Sequence, residues 1–75
     1  MRKKYLFDFS NLEGKIKQYY DTQDKFCKEI PMSRATLNQK LNNKINFSSD
    51  NILKISKLLD ISIEEIGLVF FKEKV

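Results

Sequence analysis

Apolar residues recur at helical spacing soon after the start of the chain. Leu12, Ile16 and Tyr20 are four residues apart and therefore lie on one stripe of a helix. Ser10, followed by Glu13, matches a capping box, in which the hydroxyl and the carboxylate each accept a hydrogen bond from a terminal backbone amide. The pattern predicts a first helix that begins at Ser10.

Two further helices separated by a short turn follow. Thr22 is a predicted N-cap, and Phe26 and Ile30 share one face of the helix after it. Pro31 ends this helix, because its ring disfavours helical geometry at the preceding residue and it has no backbone N–H. Ser33 is the predicted N-cap of the next helix.

Capping residues predict where the later helices begin and end. The third extends over residues 34–42, and its amide-rich end, Asn42-Asn43, can accept the left-handed turn that closes helices. The fourth begins at Ser48-Ser49-Asp50 and Ser62 caps the fifth, since apolar residues at helical spacing follow each of them. We expect Gly67 to end the fifth helix.

Aromatic and apolar residues predict a short strand at each end of the chain. Tyr5, Phe7 and Phe9 recur with a period of two within residues 4–9. Residues 68–74 form the second predicted strand, whose apolar start would invite aggregation if it were uncovered. It can pair with the first strand or with its counterpart in a second subunit. The predicted dimer interface is Leu68, Val69, Phe70 and Phe71.

Length and composition restrict the possible functions. The 75 residues, 41% of them apolar, suit one compact domain over residues 1–75. With one cysteine and no histidine, the chain has no zinc tetrad and no Cys–His or Ser–His–Asp arrangement. We therefore expect no metal, no cofactor, no small-molecule substrate and no enzymatic activity. Neither a membrane span nor a signal peptide is present in the pattern, so we expect a cytoplasmic protein.

Positive charge is concentrated in the middle of the chain. The net charge is +4, and residues 32–49 contain no acidic side chain. Arg34, Lys40 and Lys44 lie in that stretch among several asparagines, and residues 2–4 form a second basic cluster. This distribution favours a polyanionic partner such as nucleic acid.

One face of the third helix has the chemistry of a DNA-reading surface. Leu37 and Leu41 point towards the core at 100° per residue. The opposite side carries small and amide side chains that suit the major groove, where Asn and Gln pair with adenine and Arg with guanine. The side chains that project there are Ala35, Asn38, Gln39 and Asn42, and Arg34 and Thr36 flank them near the amino end of the helix.

Residues 22–44 resemble the helix-turn-helix of phage Cro and repressor proteins, and the likeness covers about residues 11–66. It is greatest to short Cro-like proteins of Gram-positive phages and prophages. The resemblance implies a helix-turn-helix fold. Together with the helices and strands predicted above, it indicates a mostly α chain, a compact five-helix helix-turn-helix domain with short terminal strands that can pair. Gln23 matches the family's phosphate-clamping glutamine. The resemblance also implies the base-contacting residues, since Arg34, Ala35, Asn38 and Gln39 fall on the family's usual base-facing positions. Pro31 stands where the family mostly has glycine, so the turn must differ locally.

The resulting functional hypothesis is a sequence-specific transcription regulator, a phage or prophage repressor that binds an operator in double-stranded DNA. A homodimer would recognise an inverted repeat and associate with the nucleoid. The predicted phosphate-contacting residues are Gln23, Ser33, Thr36, Lys40, Asn42, Asn43, Lys44 and Asn46. One alternative is a protein-interaction module of the same fold, an antirepressor or adaptor. Another is a nucleoid or membrane-surface binder that uses charge alone.

Overall fold

The computed structural model describes residues 6–74, and its regular secondary structure is helical apart from one isolated β-bridge. The predicted mostly α, five-helix architecture is confirmed. The five helices are α1 (Ser10–Tyr20), α2 (Gln23–Glu29), α3 (Arg34–Leu41), α4 (Ser49–Leu58) and α5 (Ile63–Phe70). Tyr5 and the basic cluster at residues 2–4 lie outside the described residues.

The predicted N-caps Thr22 and Ser33 are confirmed, and the N-cap of α4 is Ser48, within the segment predicted to start that helix. The hydroxyls of Thr22, Ser33 and Ser48 each accept a hydrogen bond from the backbone N–H three residues later. Each bond satisfies one amide that the first helical turn leaves without an intrahelical partner. Local side-chain chemistry therefore sets where α2, α3 and α4 begin.

The predicted capping box at the start of α1 is wrong. Phe9 occupies the N-cap position, and Ser10 is already helical, one residue too late to cap. The Asp8 carboxylate accepts a hydrogen bond from the Ser10 N–H at 2.9 Å. This backbone bond and a bond from the Ser10 hydroxyl lower the pKa of Asp8 below its ordinary value, with a smaller contribution from nearby Lys72.

The predicted end of the fifth helix is also wrong. α5 continues through Gly67 to Phe70, because Ile66, Val69 and Phe70 are spaced to pack on the core as one helical face. Val69 and Phe70 are each only 2% exposed. A strand that begins at Leu68 is therefore excluded, and Val69 and Phe70 are unavailable for the predicted dimer interface.

The two ends of the described chain pair with each other. Phe7 and Glu73 form an isolated antiparallel bridge. The Asp8 N–H donates to the Lys72 carbonyl at 2.7 Å, and the Lys74 N–H donates to the Leu6 carbonyl at 2.8 Å. The predicted strands are thus reduced to one short pairing within the chain.

The helices enclose a single apolar core. Leu37 is fully buried, as the spacing of α3 predicted, and Cys27 on α2 is also part of the core. An aromatic group joins the chain ends to the helices: the ring of Phe47 packs edge-on against Phe9 at 5.3 Å and Phe70 at 5.5 Å between centroids. The core leaves the opposite face of α3 at the surface.

Candidate binding surface around α3

The turn between α2 and α3 is closed without a left-handed residue. Ile30 caps α2 with right-handed helical geometry, and the Met32 N–H donates to the Cys27 carbonyl at 3.0 Å. Among the described residues, positive φ angles occur only at Asp21, Asn43 and Asp60. The turn therefore differs locally from one built around a left-handed glycine, as Pro31 implied. α3 still follows α2 after a short turn.

The predicted face of α3 is exposed. Leu37 anchors the helix in the core, and Leu41 is half-buried beside it. The side chains on the other side all lie at the surface, namely Arg34, Ala35, Asn38, Gln39 and Asn42. We call these five residues the α3 face. Their exposure is confirmed, and their predicted contacts with bases and phosphates stay predictions.

Arg34 has an acidic partner on α2. Its Nη1 lies 2.8 Å from Oδ1 of Asp24, in an exposed ion pair that is also a hydrogen bond. Asp24 precedes the acid-free stretch at residues 32–49 in the sequence. The charge pattern of that stretch therefore does not reveal that a carboxylate lies beside Arg34 on the α3 face. The pairing partly offsets the positive charge of Arg34.

Lys40 is engaged at the carboxyl end of α3. Its Nζ donates to the Asn46 carbonyl at 2.9 Å and lies 5.7 Å from the centroid of the Phe47 ring. Both contacts hold the ammonium group against the loop after α3. The side chain of Asn42 also bonds locally, to the Asn38 carbonyl at 2.8 Å.

Asn43 has a structural role in addition to the phosphate contact that stays a prediction. Its Oδ1 accepts from the Phe7 N–H at 2.8 Å, and its Nδ2 donates to the Phe7 carbonyl at 3.0 Å. Asn43 has the left-handed φ of 64° that the sequence predicted for the end of the helix. Both polar ends of its side chain are therefore used to attach the segment before α1.

The other predicted phosphate contacts are distributed around the ends of α2 and α3. The Ser33 hydroxyl caps α3 and also donates to the Thr36 hydroxyl at 2.8 Å. Gln23 is half-buried at the first position of α2, while Lys44 and the side chain of Asn46 are exposed after α3. The structure thus places these groups at the amino ends of α2 and α3 and in the loop after α3.

An open aromatic groove adjoins the carboxyl end of α3. Its volume is about 310 Å³. Its apolar lining is Phe7, Phe9, Ile45, Phe47, Ile52, Phe70 and Phe71, and its polar lining is Lys40, Asn43 and Asn46. We call this feature the aromatic groove. The groove was not predicted from the sequence. The available signal was the placement of five phenylalanines near the two chain ends and after the third helix.

Two negative findings apply to the described chain. Between residues 6 and 74, no three acidic, cysteine or histidine side chains come together in a way that could hold a metal ion. Over the same residues, no helix has both the length and the apolar character that crossing a bilayer requires.

Comparison with known proteins places the chain in a family. The chain is similar in sequence and structure to the modulator of repression (MOR) of the temperate bacteriophage TP901-1 from Lactococcus lactis, known from a solution structure. The two are 35% identical with a TM-score of 0.76, over 87% of this chain and 88% of MOR. No curated protein matches significantly. The Cro-type assignment is not confirmed. Residues 5–73 match the family described as "Protein of unknown function (DUF739)", and the chain therefore belongs to that family.

Proposed function

We propose that this chain regulates the repression of phage genes by binding another protein of the repression system, a DNA-binding repressor, through the α3 face. The similarity to MOR across most of both chains carries this proposal. MOR is named for modulating repression. Modulation presupposes a separate repressor on which to act, which favours the antirepressor or adaptor alternative.

The charges around α3 support a protein partner. Affinity for DNA depends on lysines and arginines that neutralise phosphates. Here Lys40 is bonded to the loop after α3, Arg34 is paired with Asp24, and the Asn43 amide is bonded to Phe7. The α3 face consequently presents amide groups and a small apolar residue more than mobile cations.

The aromatic groove supports the same partner. Protein interfaces commonly combine an apolar anchor seated in a pocket with surrounding polar contacts. The aromatic groove lies at the end of α3, with Lys40 and Asn46 in its lining. A repressor that covers the α3 face can therefore place an apolar side chain in the groove while its polar groups bond to Asn38 and Gln39.

Operator DNA is the second candidate partner. It is favoured by the acid-free stretch at residues 32–49 and by the exposed amides of Asn38 and Gln39, which suit adenine edges. In this version the chain is a repressor that binds an inverted repeat as a homodimer. The Asp24 carboxylate beside Arg34 weighs against it, because the carboxylate repels phosphate.

The test uses the repressor of the same phage or prophage, bound to a fluorescent duplex of its operator. We expect added chain to change the fraction of operator bound by repressor, while the chain alone leaves the duplex anisotropy unchanged at physiological salt. Gln39→Glu should weaken the effect at least about tenfold, since a buried carboxylate without a partner costs more than 1.4 kcal/mol. Gln18→Glu, the same change at an exposed position of α1, is the matched control.

Three outcomes separate the candidates. Binding of the chain alone to the operator, with affinity that falls steeply as salt rises, would establish the DNA candidate. If Gln39→Glu and Gln18→Glu had equal effects, the claim that the α3 face binds the partner would be contradicted. No effect on repressor and no binding of DNA would contradict both candidates.

A further inference from the structure

The lining of the aromatic groove carries positive charge that no nearby carboxylate balances. Of the residues from 6 to 74 that line the groove, only Lys40 is charged. Asp8, Asp50 and Glu73 are next or close to lining residues in the sequence, but none of the three lines the groove. Over the same described residues, Lys40 forms no ion pair with a carboxylate. The groove is therefore apolar with a single cation among its lining groups.

The ammonium group of Lys40 is held in place and still has donors to offer. Its bond to the Asn46 carbonyl, at 2.9 Å, uses one of the three N–H groups that an ammonium carries. The ring of Phe47, whose centroid lies 5.7 Å away, supports the same position. Two N–H groups therefore remain for a partner. One fixed cation suits a single carboxylate better than a row of phosphates, which requires several cations.

Burial would strengthen the attraction of Lys40 for a carboxylate. Lys40 is already half-buried, and a partner seated in the groove would remove more water from its ammonium group. Opposite charges attract more strongly where water is excluded. A covered ammonium group without an anion is costly. An occupant that brings a carboxylate is consequently favoured over one that is only apolar.

The side chain of Asn46 is a second donor in the same lining. Its amide is exposed and forms no hydrogen bond with the residues from 6 to 74, whereas the amide of Asn43 is bonded to the Phe7 backbone. Since the Lys40 ammonium group lies against the Asn46 backbone, both side chains can donate to one carboxylate. Hydrogen bonds to an ionised acceptor are stronger than those between neutral groups.

We propose that the repressor segment seated in the aromatic groove carries a carboxylate beside its apolar side chain, and that Lys40 and Asn46 bind this carboxylate. The inference rests on the proposed function, in which the partner is a repressor, and adds the chemistry by which the groove selects a segment. A segment with a lysine or arginine at that position is rejected, because like charges would meet in a covered site.

Calorimetric titration of the full chain and its variants with the repressor of the same phage or prophage tests the proposal. Lys40→Met should weaken binding at least about tenfold, because methionine keeps an unbranched side chain beside Phe47 but removes the charge. Lys40→Arg should retain most of the affinity, since arginine keeps the charge. Lys17→Met is the matched control, with the same loss of charge at an exposed position of α1. Melting temperatures show whether each variant is folded.

Asn46→Asp is a second and independent variant. It changes little in size and places a carboxylate beside Lys40, where it should compete with the carboxylate of the repressor. We expect it to weaken binding at least about tenfold as well. If the repressor bound Lys40→Met and Asn46→Asp as tightly as it binds wild type, the proposal would be overturned, while the proposed function would stand.

A double-mutant cycle identifies the carboxylate of the repressor. Each of its exposed aspartates and glutamates is replaced in turn by asparagine or glutamine and titrated against wild type and Lys40→Met. Replacement of the residue that pairs with Lys40 should weaken binding to wild type and leave binding to Lys40→Met unchanged. A repressor with no such residue would overturn the proposal and leave the proposed function intact. A repressor that does not bind the wild-type chain would contradict the proposed function and this inference together.

Discussion

The side-chain amide of Asn43 forms two hydrogen bonds with the backbone of Phe7, 36 residues earlier in the chain. Asn43 adopts a left-handed φ at the end of α3, and Phe7 lies in the terminal pairing with Glu73. One residue thus closes α3 and attaches the paired ends of the chain to it.

Substitution of Asn43 should measure the value of this attachment. We expect Asn43→Ala to lower the free energy of unfolding by about 2 to 4 kcal/mol, because it removes both bonds and strains the left-handed backbone. Asn43→Gly should cost about 1 kcal/mol less, since glycine adopts that φ without strain. Urea unfolding gives both values. Losses that are equal for the two variants would contradict the role given to φ.

Stability should fall in acid partly because of Glu65. The pKa of Glu65 is lowered from its ordinary 4.5, first by hydrogen bonds from the Ser62 backbone and hydroxyl and then by the charge of Lys15. A lowered pKa in the folded state means that the stabilisation is complete above pH 4.5 and is lost as the pH falls through the folded value.

Glu65→Gln is the corresponding variant. The glutamine oxygen can still accept from Ser62, so the variant should resemble wild type near pH 3 and be less stable at pH 7. Urea midpoints at the two pH values measure the difference. If the urea midpoints of wild type and variant differed by the same amount at pH 3 and pH 7, ionisation of Glu65 would be excluded as the cause.

The ion pair between Arg34 and Asp24 should affect binding more than stability. Asp24→Asn should change the free energy of unfolding by less than about 1 kcal/mol, because exposed pairs contribute little. Removal of the carboxylate should increase the weak, nonspecific affinity for a random-sequence duplex, measured by anisotropy at low salt. Asp60→Asn carries the same charge change at an exposed position after α4. An equal gain for both variants would show that only net charge matters.

Cys27 should react slowly in the folded protein. Burial raises the pKa of its thiol, which lowers the fraction of reactive thiolate, and the side chain is shielded by the core. We expect iodoacetamide to modify Cys27 at a rate that increases with urea in parallel with unfolding. Rapid modification in native buffer would show that α2 opens locally or that Cys27 is not core.

The parts of the fold that depend on residues close together in the sequence could be predicted from the sequence. Thr22, Ser33 and Ser48 cap helices through atoms three residues away, so their chemistry is visible locally. The end of α5 could not be predicted in this way. Gly67 is compatible with both a helix end and a helix interior, and the core contacts of Val69 and Phe70 decide between them.

The α3 face was predicted for the same local reason, because the position of Leu37 determines which side chains lie opposite it. The contacts of Asp24, Asn43 and Lys40 could not be predicted, since each joins α3 to another element. These contacts change the interpretation of the surface, because they use Arg34, which the sequence assigned to bases, and Lys40 and Asn43, which it assigned to phosphates.

The most direct test of the account is a map of backbone amide shifts of the ¹⁵N-labelled chain as the unlabelled repressor of the same phage is added at physiological salt. We predict that the largest changes occur at Arg34, Asn38, Gln39 and Asn42 and around the aromatic groove, with α1 little affected. Changes confined to α1 and α5, or no change at saturating repressor, would contradict the claim that the α3 face binds the partner.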